Sequence, residues 1–244
     1  RAAAAVMAGD VLLGPGRERA AKAGQMVAGD VEVALVEREE FVSRGGRKLA
    51  NALDALGVPV AGRRCLDVGA STGGFTHCLL RRGAERVVAV DVAYGELHWS
   101  LRTDERVTVL ERVNARALRR EDLPYAPDLA VADVSFISLA KVLPAVLAVL
   151  EPAGFDALAM VKPQFEVGRE RVGKGVVHDP LVRREALVTV ASSAAGLGAS
   201  VLGFASSGLP GPKGNRETFL WLAEGGRAGA VADLEAAAAE VEPV

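Results

Sequence analysis

Residues 64–75 read Arg64-Cys65-Leu66-Asp67-Val68-Gly69-Ala70-Ser71-Thr72-Gly73-Gly74-Phe75. A short apolar run ends in Asp67, turns through Gly69, Gly73 and Gly74, and enters a helical pattern at Phe75. A second apolar run, Arg86–Val90, ends in Asp91. Strand, glycine turn, helix, strand and acid is the order that holds a nucleotide-like ligand at the edge of a parallel sheet. Glycine lets the backbone bend and approach a ligand closely. The helix that follows presents unpaired N–H groups, and an acid after the second strand can accept both hydroxyls of a ribose.

The glycine spacing narrows the ligand. It is Gly-x-x-x-Gly-Gly, not the Gly-x-Gly-x-x-Gly that cradles a pyrophosphate, which disfavours a dinucleotide. S-adenosylmethionine carries a ribose and no phosphate, and suits this loop better.

Outward from the loop the βα alternation continues. Strands are expected at Arg64–Val68, Arg86–Val90, Val107–Leu110, Leu129–Ala132, Ala157–Val161, Ser200–Ala205 and Glu217–Leu222. Helices are expected near 74–82, 94–102, 138–150 and 181–196, and Ser43 is expected to cap a helix over Arg44–Leu56. Gly57 and Pro59 stop that helix. The pattern predicts an α/β, doubly wound, Rossmann-like domain: a seven-stranded, mostly parallel sheet with helices on both faces.

Residues 1–35 differ in character. They read as an alanine-rich helix to Met7, a strand near Val11–Leu13, a turn at Lys22–Val27 and a strand at Val31–Leu35. Arg1 falls within the helical pattern, so further residues are expected before it. The expected organisation is therefore a small module at 1–35, a charged linker at 36–42, a cofactor domain at 43–225 and an acidic, alanine-rich tail at 226–244.

Composition bounds the function. The chain has 244 residues, half of them hydrophobic, and a net charge of −2. The tail from Ala223 holds five acids and one arginine, a net of −4, which leaves the remainder at +2. Basic clusters stand at Arg44/Arg47/Lys48, Arg63/Arg64, Arg81/Arg82 and Arg116/Arg119/Arg120. Two cysteines, Cys65 and Cys78, argue against a disulfide framework and read as buried thiols. No apolar run reaches the roughly 18 residues of a membrane span, and no signal peptide is seen; a cytoplasmic protein is expected. Three histidines are too few and too scattered for a metal site.

The chemistry is read from the strand ends, where ligands of such sheets bind. They carry Asp67, Asp91, Asp133 and Lys162. Glu217 opens the last strand and reaches the same edge only if that strand runs antiparallel. Lys48 lies on the helix before the domain. The chain has six lysines (22, 48, 141, 162, 174 and 213) among 29 cations, so a lysine is a choice. Lys162 ends the run Ala-Leu-Ala-Met-Val and precedes a proline. Desolvation and a second nearby lysine disfavour a charged amine, so a neutral amine able to act as a general base is expected. Asp133 and Glu217 would orient and balance two ammonium groups. Such a set suits deprotonation of a poor acid, for example a ribose 2′-hydroxyl.

Several segments together resemble one known family. They are Val42-Ser43-Arg44-Gly45-Gly46-Arg47-Lys48-Leu49, Asp67–Thr76, Ala132-Asp133-Val134-Ser135-Phe136-Ile137-Ser138, Val161-Lys162-Pro163-Gln164-Phe165-Glu166 and Gly214-Asn215-Arg216-Glu217. They resemble the TlyA (haemolysin A-like) ribosomal RNA methyltransferases, relatives of the FtsJ methyltransferases. The resemblance runs from residue 1 to about residue 222. It implies S-adenosylmethionine as cofactor, 2′-O-methylation of cytidines in ribosomal RNA, and a catalytic tetrad of Lys48, Asp133, Lys162 and Glu217. It also implies that Ala2–Leu35 corresponds to the second part of an RNA-binding domain like that of small-subunit ribosomal protein four. Asn114, after the third strand, is placed at the adenine side of the cofactor.

The candidate cofactor-binding set is thus Asp67, Gly69, Ser71, Thr72, Gly73, Gly74, Phe75, Asp91, Asn114 and Asp133. Candidate RNA contacts are Arg44, Arg47, Lys22, Arg169, Lys174 and Lys213, the last three on cation-bearing loops at 166–178 and 213–215. Two other readings remain: a membrane-active haemolysin, against which stands the lack of a span or a strongly basic amphipathic helix, and a non-catalytic RNA-binding assembly factor, against which stands the intact tetrad.

Overall fold

In the computed structural model residues 2–35 and 40–242 are described. The chain forms two compact units, Arg1–Glu40 and Phe41–Val244. In the first, α1 (Ala2–Met7) precedes β1 (Val11–Leu13), β2 (Glu18–Arg19) and β3 (Val33–Leu35), an antiparallel sheet with β1 in the middle. The sequence pattern finds α1, β1 and β3 but not β2, because two charged residues carry no alternation to detect. β3 starts two residues later than expected: the Val31 N–H closes a turn onto Ala28 O at 3.1 Å. No residue of this helix or these strands is buried.

The second unit opens with Phe41, which is buried, so the segment expected as a linker at 36–42 ends in packed residues; Val36–Glu39 lie outside the described residues. Then follow α2 (Arg44–Leu56), β4 (Arg64–Val68), α3 (Gly74–Arg81), β5 (Arg86–Asp91), α4 (Trp99–Arg102), β6 (Val107–Glu111), β7 (Leu129–Ala132), α5 (Leu143–Ala148), β8 (Asp156–Val161), α6 (Pro163–Glu166), α7 (Pro180–Gly196), β9 (Ser200–Ser206), β10 (Thr218–Ala223) and α8 (Leu234–Val241). The seven strands lie in the order β6-β5-β4-β7-β8-β10-β9. β4 to β8 run parallel, and β10 is antiparallel to both β8 and β9. Glu217, just before β10, therefore stands at the edge where β4, β5, β7 and β8 end.

Alternation along the strands builds two cores. Leu66 and Val68 of β4 face one layer with Leu143, Val146, Leu187 and Val190. Cys65 of β4 faces the other, with Leu49, Leu53, Phe75 and Leu79. Asp67 shares the side of Cys65 and meets α3. Both cysteines are fully buried, and burial pushes the Cys65 thiol up. α8 joins the first layer through Ala238, and Glu242 beyond it accepts from Arg183 Nε at 2.9 Å.

Three helix expectations change. Of the segment expected as a helix near 138–150, only Leu143–Ala148 is α-helical, after a 3-10 turn at Leu139–Lys141. The region expected as one helix near 94–102 is a loop with only the four residues of α4, because His98 caps it by accepting from Ser100 N. Ser43 precedes α2 in extended backbone but makes no side-chain cap; its hydroxyl is instead packed against Gly74.

The chain crosses from β4 outward to β5 and β6, then returns to β7 on the other side of β4. That reversal opens a crevice between the β4 and β7 ends, where open α/β sheets bind ligands.

Candidate active site

The β4 end is shaped by glycine. Gly69 has φ +83°, and a Cβ there would collide with the Asp133 carbonyl. It lets the β4 and β7 loops touch. Gly73 makes room for Leu97 and Leu101, and a Cβ on Gly74 would come within 2.8 Å of Gly46 N, so both glycines admit neighbouring segments of the chain. Phe75 is buried and packs its ring 5.7 Å from Phe219, and Thr72 is exposed.

Asp67 turns onto α3. It is fully buried, and Oδ2 accepts from Thr76 N at 2.8 Å and Thr76 Oγ1 at 2.6 Å. Oδ1 is buried with no hydrogen-bond partner. Burial raises its carboxyl to about 7, opposed by the Thr76 bonds and reinforced by Asp133 and Asp91.

A cleft of about 440 Å³ lies at the β4/β7 crevice, walled by Gly69, Ser71, Asp91, Val92, Asn114 and Asp133 among others. It falls within the size range of small-molecule sites. Asp91 accepts from Ser71 N at 2.7 Å and Ala93 N at 2.8 Å, one bond to each carboxylate oxygen, so each oxygen keeps a lone pair for a ligand. Asn114 caps a short turn by accepting from Arg116 N at 3.1 Å. Of the ten expected cofactor residues, Gly69, Ser71, Asp91, Asn114 and Asp133 line this cleft, and Asp67, Thr72, Gly73, Gly74 and Phe75 do not.

A second cleft of about 380 Å³ includes Lys162, Glu217, Lys213, Asn215, Gln164 and Phe165 in its wall. It shares Ser135 and Phe136 with the first, so the two adjoin across the loop after β7. Lys162 pairs with Asp133 and donates to Ser135 Oγ at 2.9 Å. Lys48 pairs with Glu217, and both are buried. Each lysine thus has its own carboxylate, a pairing spacing alone does not specify. Glu217 meets Lys48 and not its neighbour Arg216, which approaches Glu242 at 3.9 Å.

Ser135, Phe136 and Asn215 are among the wall residues that were not in the expected site. Ser135 and Phe136 belong to the segment after Asp133. Phe136 sits at φ +64° and is 92% exposed, with its ring 5.2 Å from Phe165; an aromatic residue in a strand-end loop was the signal. Asn215, expected in a surface segment, is buried and holds the 166–178 loop: Oδ1 accepts from Val177 N at 2.9 Å and Nδ2 donates to Gly175 O at 2.8 Å.

Arg44, Arg47, Arg169, Lys174 and Lys213 are exposed on the second unit, and Lys22 on the first. Arg44 donates to Pro210 O at 2.9 Å; Lys213 alone of these lines a cleft. Among the described residues no group of His, Cys, Asp or Glu is placed to hold a metal ion, and no helix is long and apolar enough to cross a membrane.

Known proteins are similar to this chain. Residues 41–224 match the family described as FtsJ-like methyltransferase. The chain is 52% identical over 219 residues to the 16S/23S rRNA (cytidine-2′-O)-methyltransferase TlyA of Mycobacterium tuberculosis, which spans 86% of this chain and 81% of that protein. It is 38% identical over 187 residues to Hemolysin A of Brachyspira hyodysenteriae, spanning 76% and 78% respectively. Among solved structures, a Lactococcus lactis protein provisionally named a hemolysin superposes with a TM-score of 0.78 at 40% identity, over 83% of this chain and all but 1% of that one (99%). The 1,6-didemethyltoxoflavin-N1-methyltransferase of Burkholderia thailandensis, solved with S-adenosylhomocysteine, has a TM-score of 0.52 at 18% identity, over 75% and 79%, and shares the fold. The matched residues 41–224 include both clefts and both lysine–carboxylate pairs: the chain belongs to the FtsJ-like methyltransferase family, in its TlyA group, with S-adenosylmethionine as methyl donor.

Proposed function

We propose that this protein methylates the 2′-hydroxyl of a cytidine in ribosomal RNA, with Lys162 as the base that takes the hydroxyl proton. The observation that carries the reading is the adjoining pair of clefts. One offers a carboxylate, Asp91, and apolar walls, Val92 and Val113. The other holds Lys162 and Glu217. The name of the Mycobacterium tuberculosis relative supports the substrate class.

The first cleft fits S-adenosylmethionine. Asp91 would receive the ribose hydroxyls, Asn114 with Val92 and Val113 would flank the adenine, and Gly69 with Asp133 would face the methionine end. Bound there, the cofactor supplies an electrophilic methyl on a sulfonium. Lys162 Nζ would accept the 2′-hydroxyl proton as the ribose oxygen takes up the methyl. The ammonium formed is met by the Asp133 carboxylate and Ser135 Oγ, which stabilise the charge as it develops. Glu217 holds the Lys48 ammonium beside the substrate cleft. General-base assistance of this kind contributes about 10²–10⁴-fold, and alignment of oxygen with methyl supplies much of the rest.

Arg44, Arg47, Arg169, Lys174 and Lys213, together with Lys22, form the proposed RNA-contacting set. Their charge would supply a salt-dependent affinity to phosphates. The test is transfer of labelled methyl from S-adenosylmethionine to ribosomal subunits. Lys162→Ala is expected to lose about 10²-fold or more in single-turnover rate. Full activity in that variant would sink the lysine-base mechanism.

A further inference from the structure

We propose that Glu166 is a positioning residue for methyl transfer: it fastens the far end of the loop that carries Asp133, Ser135 and Phe136. Lys162 and Glu166 stand at opposite ends of one helical turn. Lys162 precedes α6 and Glu166 closes it. The loop leaves β7 at Asp133, whose N–H donates to Val68 O at 2.9 Å. Lys162 grips its beginning through Asp133 and Ser135. Glu166 grips its end: Oε2 accepts from Ser138 Oγ at 2.6 Å and Oε1 from Leu139 N at 2.9 Å. Ser138 Oγ in turn accepts from Ala140 N at 3.2 Å and caps the short turn that follows.

Between the two fastenings Val134 and Ile137 pack against the first core, and the stretch they flank turns outward. Phe136 lies in a left-handed conformation and is almost wholly exposed. Yet the loop is the wall common to both clefts. A shift of its far end moves the cofactor wall and the carboxylate beside Lys162 together. Rate is steep in such displacements, since about 1 Å of misplacement can cost on the order of 10²-fold. Burial also raises the Glu166 carboxyl, against the pull of its two hydrogen bonds, as expected for a group kept from water to serve partners inside the protein.

The rate readout rests on the RNA-methyltransferase reading; the cofactor-binding readout does not. Glu166→Ala is expected to lower the single-turnover rate at saturating RNA and cofactor by about 10–100-fold, and to weaken S-adenosylmethionine binding in calorimetry by about fivefold or more. RNA affinity stays unchanged. Glu166→Gln keeps the length, an acceptor for Leu139 N and a donor for Ser138 Oγ, so it is expected to restore the rate to within about threefold. An alanine variant that melts earlier but turns over at the wild-type rate overturns the proposal, as does a folded glutamine variant as slow as the alanine one. Should Glu166→Ala not fold, Ser138→Ala removes the shorter bond from the loop side, and an unchanged rate there overturns it equally. If the wild-type protein transfers no methyl to either ribosomal subunit, the RNA reading fails, and cofactor affinity alone decides: an unchanged dissociation constant in Glu166→Ala refutes the clamp.

Discussion

Replacing Glu217 by alanine separates the structural from the chemical role of the tetrad. Glu217, just before β10, and Lys48, in α2, come from segments far apart in sequence and meet as an ion pair whose side chains are 2% and 9% exposed. Removing the carboxylate leaves a buried ammonium without its counter-charge. Breaking a buried pair from one side costs about 3–5 kcal/mol, a large share of the roughly 5–15 kcal/mol that holds a domain together. The cavity left by the shortened side chain opens toward the substrate cleft, which puts the expected loss near the lower end, about 3 kcal/mol. Urea unfolding measures it. Trp221, in β10 with its indole N–H donating to Asp156 Oδ1 at 2.9 Å, reports on the same strand. With a slope near 3 kcal/mol/M, the midpoint should fall by about 1 M. The double variant Lys48→Met, Glu217→Leu removes both charges and should recover to within about 1 kcal/mol of wild type, while remaining inactive in methyl transfer. A Glu217→Ala midpoint within about 0.2 M of wild type would refute the reasoning, because a pair that can be halved without cost is not a buried pair.

Asp67 gives a prediction in pH. The unfolded chain ionises it near 4 and the folded chain near 7, so between these values the unfolded state binds fewer protons and stability falls as pH rises, then levels above about 7. Asp67→Asn cannot ionise and should flatten that fall by on the order of 3 kcal/mol between pH 5 and pH 8, read from denaturant midpoints at those two values; identical pH dependence in both proteins contradicts it. Lys213→Glu, at the mouth of the substrate cleft, should weaken RNA binding and reduce the slope of log K against log salt by about 1, with S-adenosylmethionine affinity unchanged. An unaltered slope would remove Lys213 from the RNA interface.

The sheet was legible in the chain because buried parallel strands write themselves as short apolar runs ended by polar residues. Arg64–Val68 and Leu129–Ala132 have the expected bounds, and the other strands shift by a residue at one end or both. The residues at the strand ends were legible for the same reason: an Asp or a Lys that stops an apolar run stands where the sheet meets solvent. The sequence also required β10 to run antiparallel if Glu217 was to join them.

Three-dimensional packing decided the rest. Glycine looks alike in sequence whether it admits a ligand or a helix. Gly69 faces the crevice, and Gly73 and Gly74 are spent on Leu101 and Gly46. Asp67 reads as a ligand acid, yet the pleat turns it away from the cleft and onto Thr76. Which lysine takes which carboxylate depends on contacts across 169 residues of chain for Lys48 and Glu217, beyond any local pattern. The loop from Asp133 to Ser138 has no period at all. Its shape comes from Lys162 and Glu166 on a separate element, so its place between the two clefts exists only once β7 and β8 lie side by side.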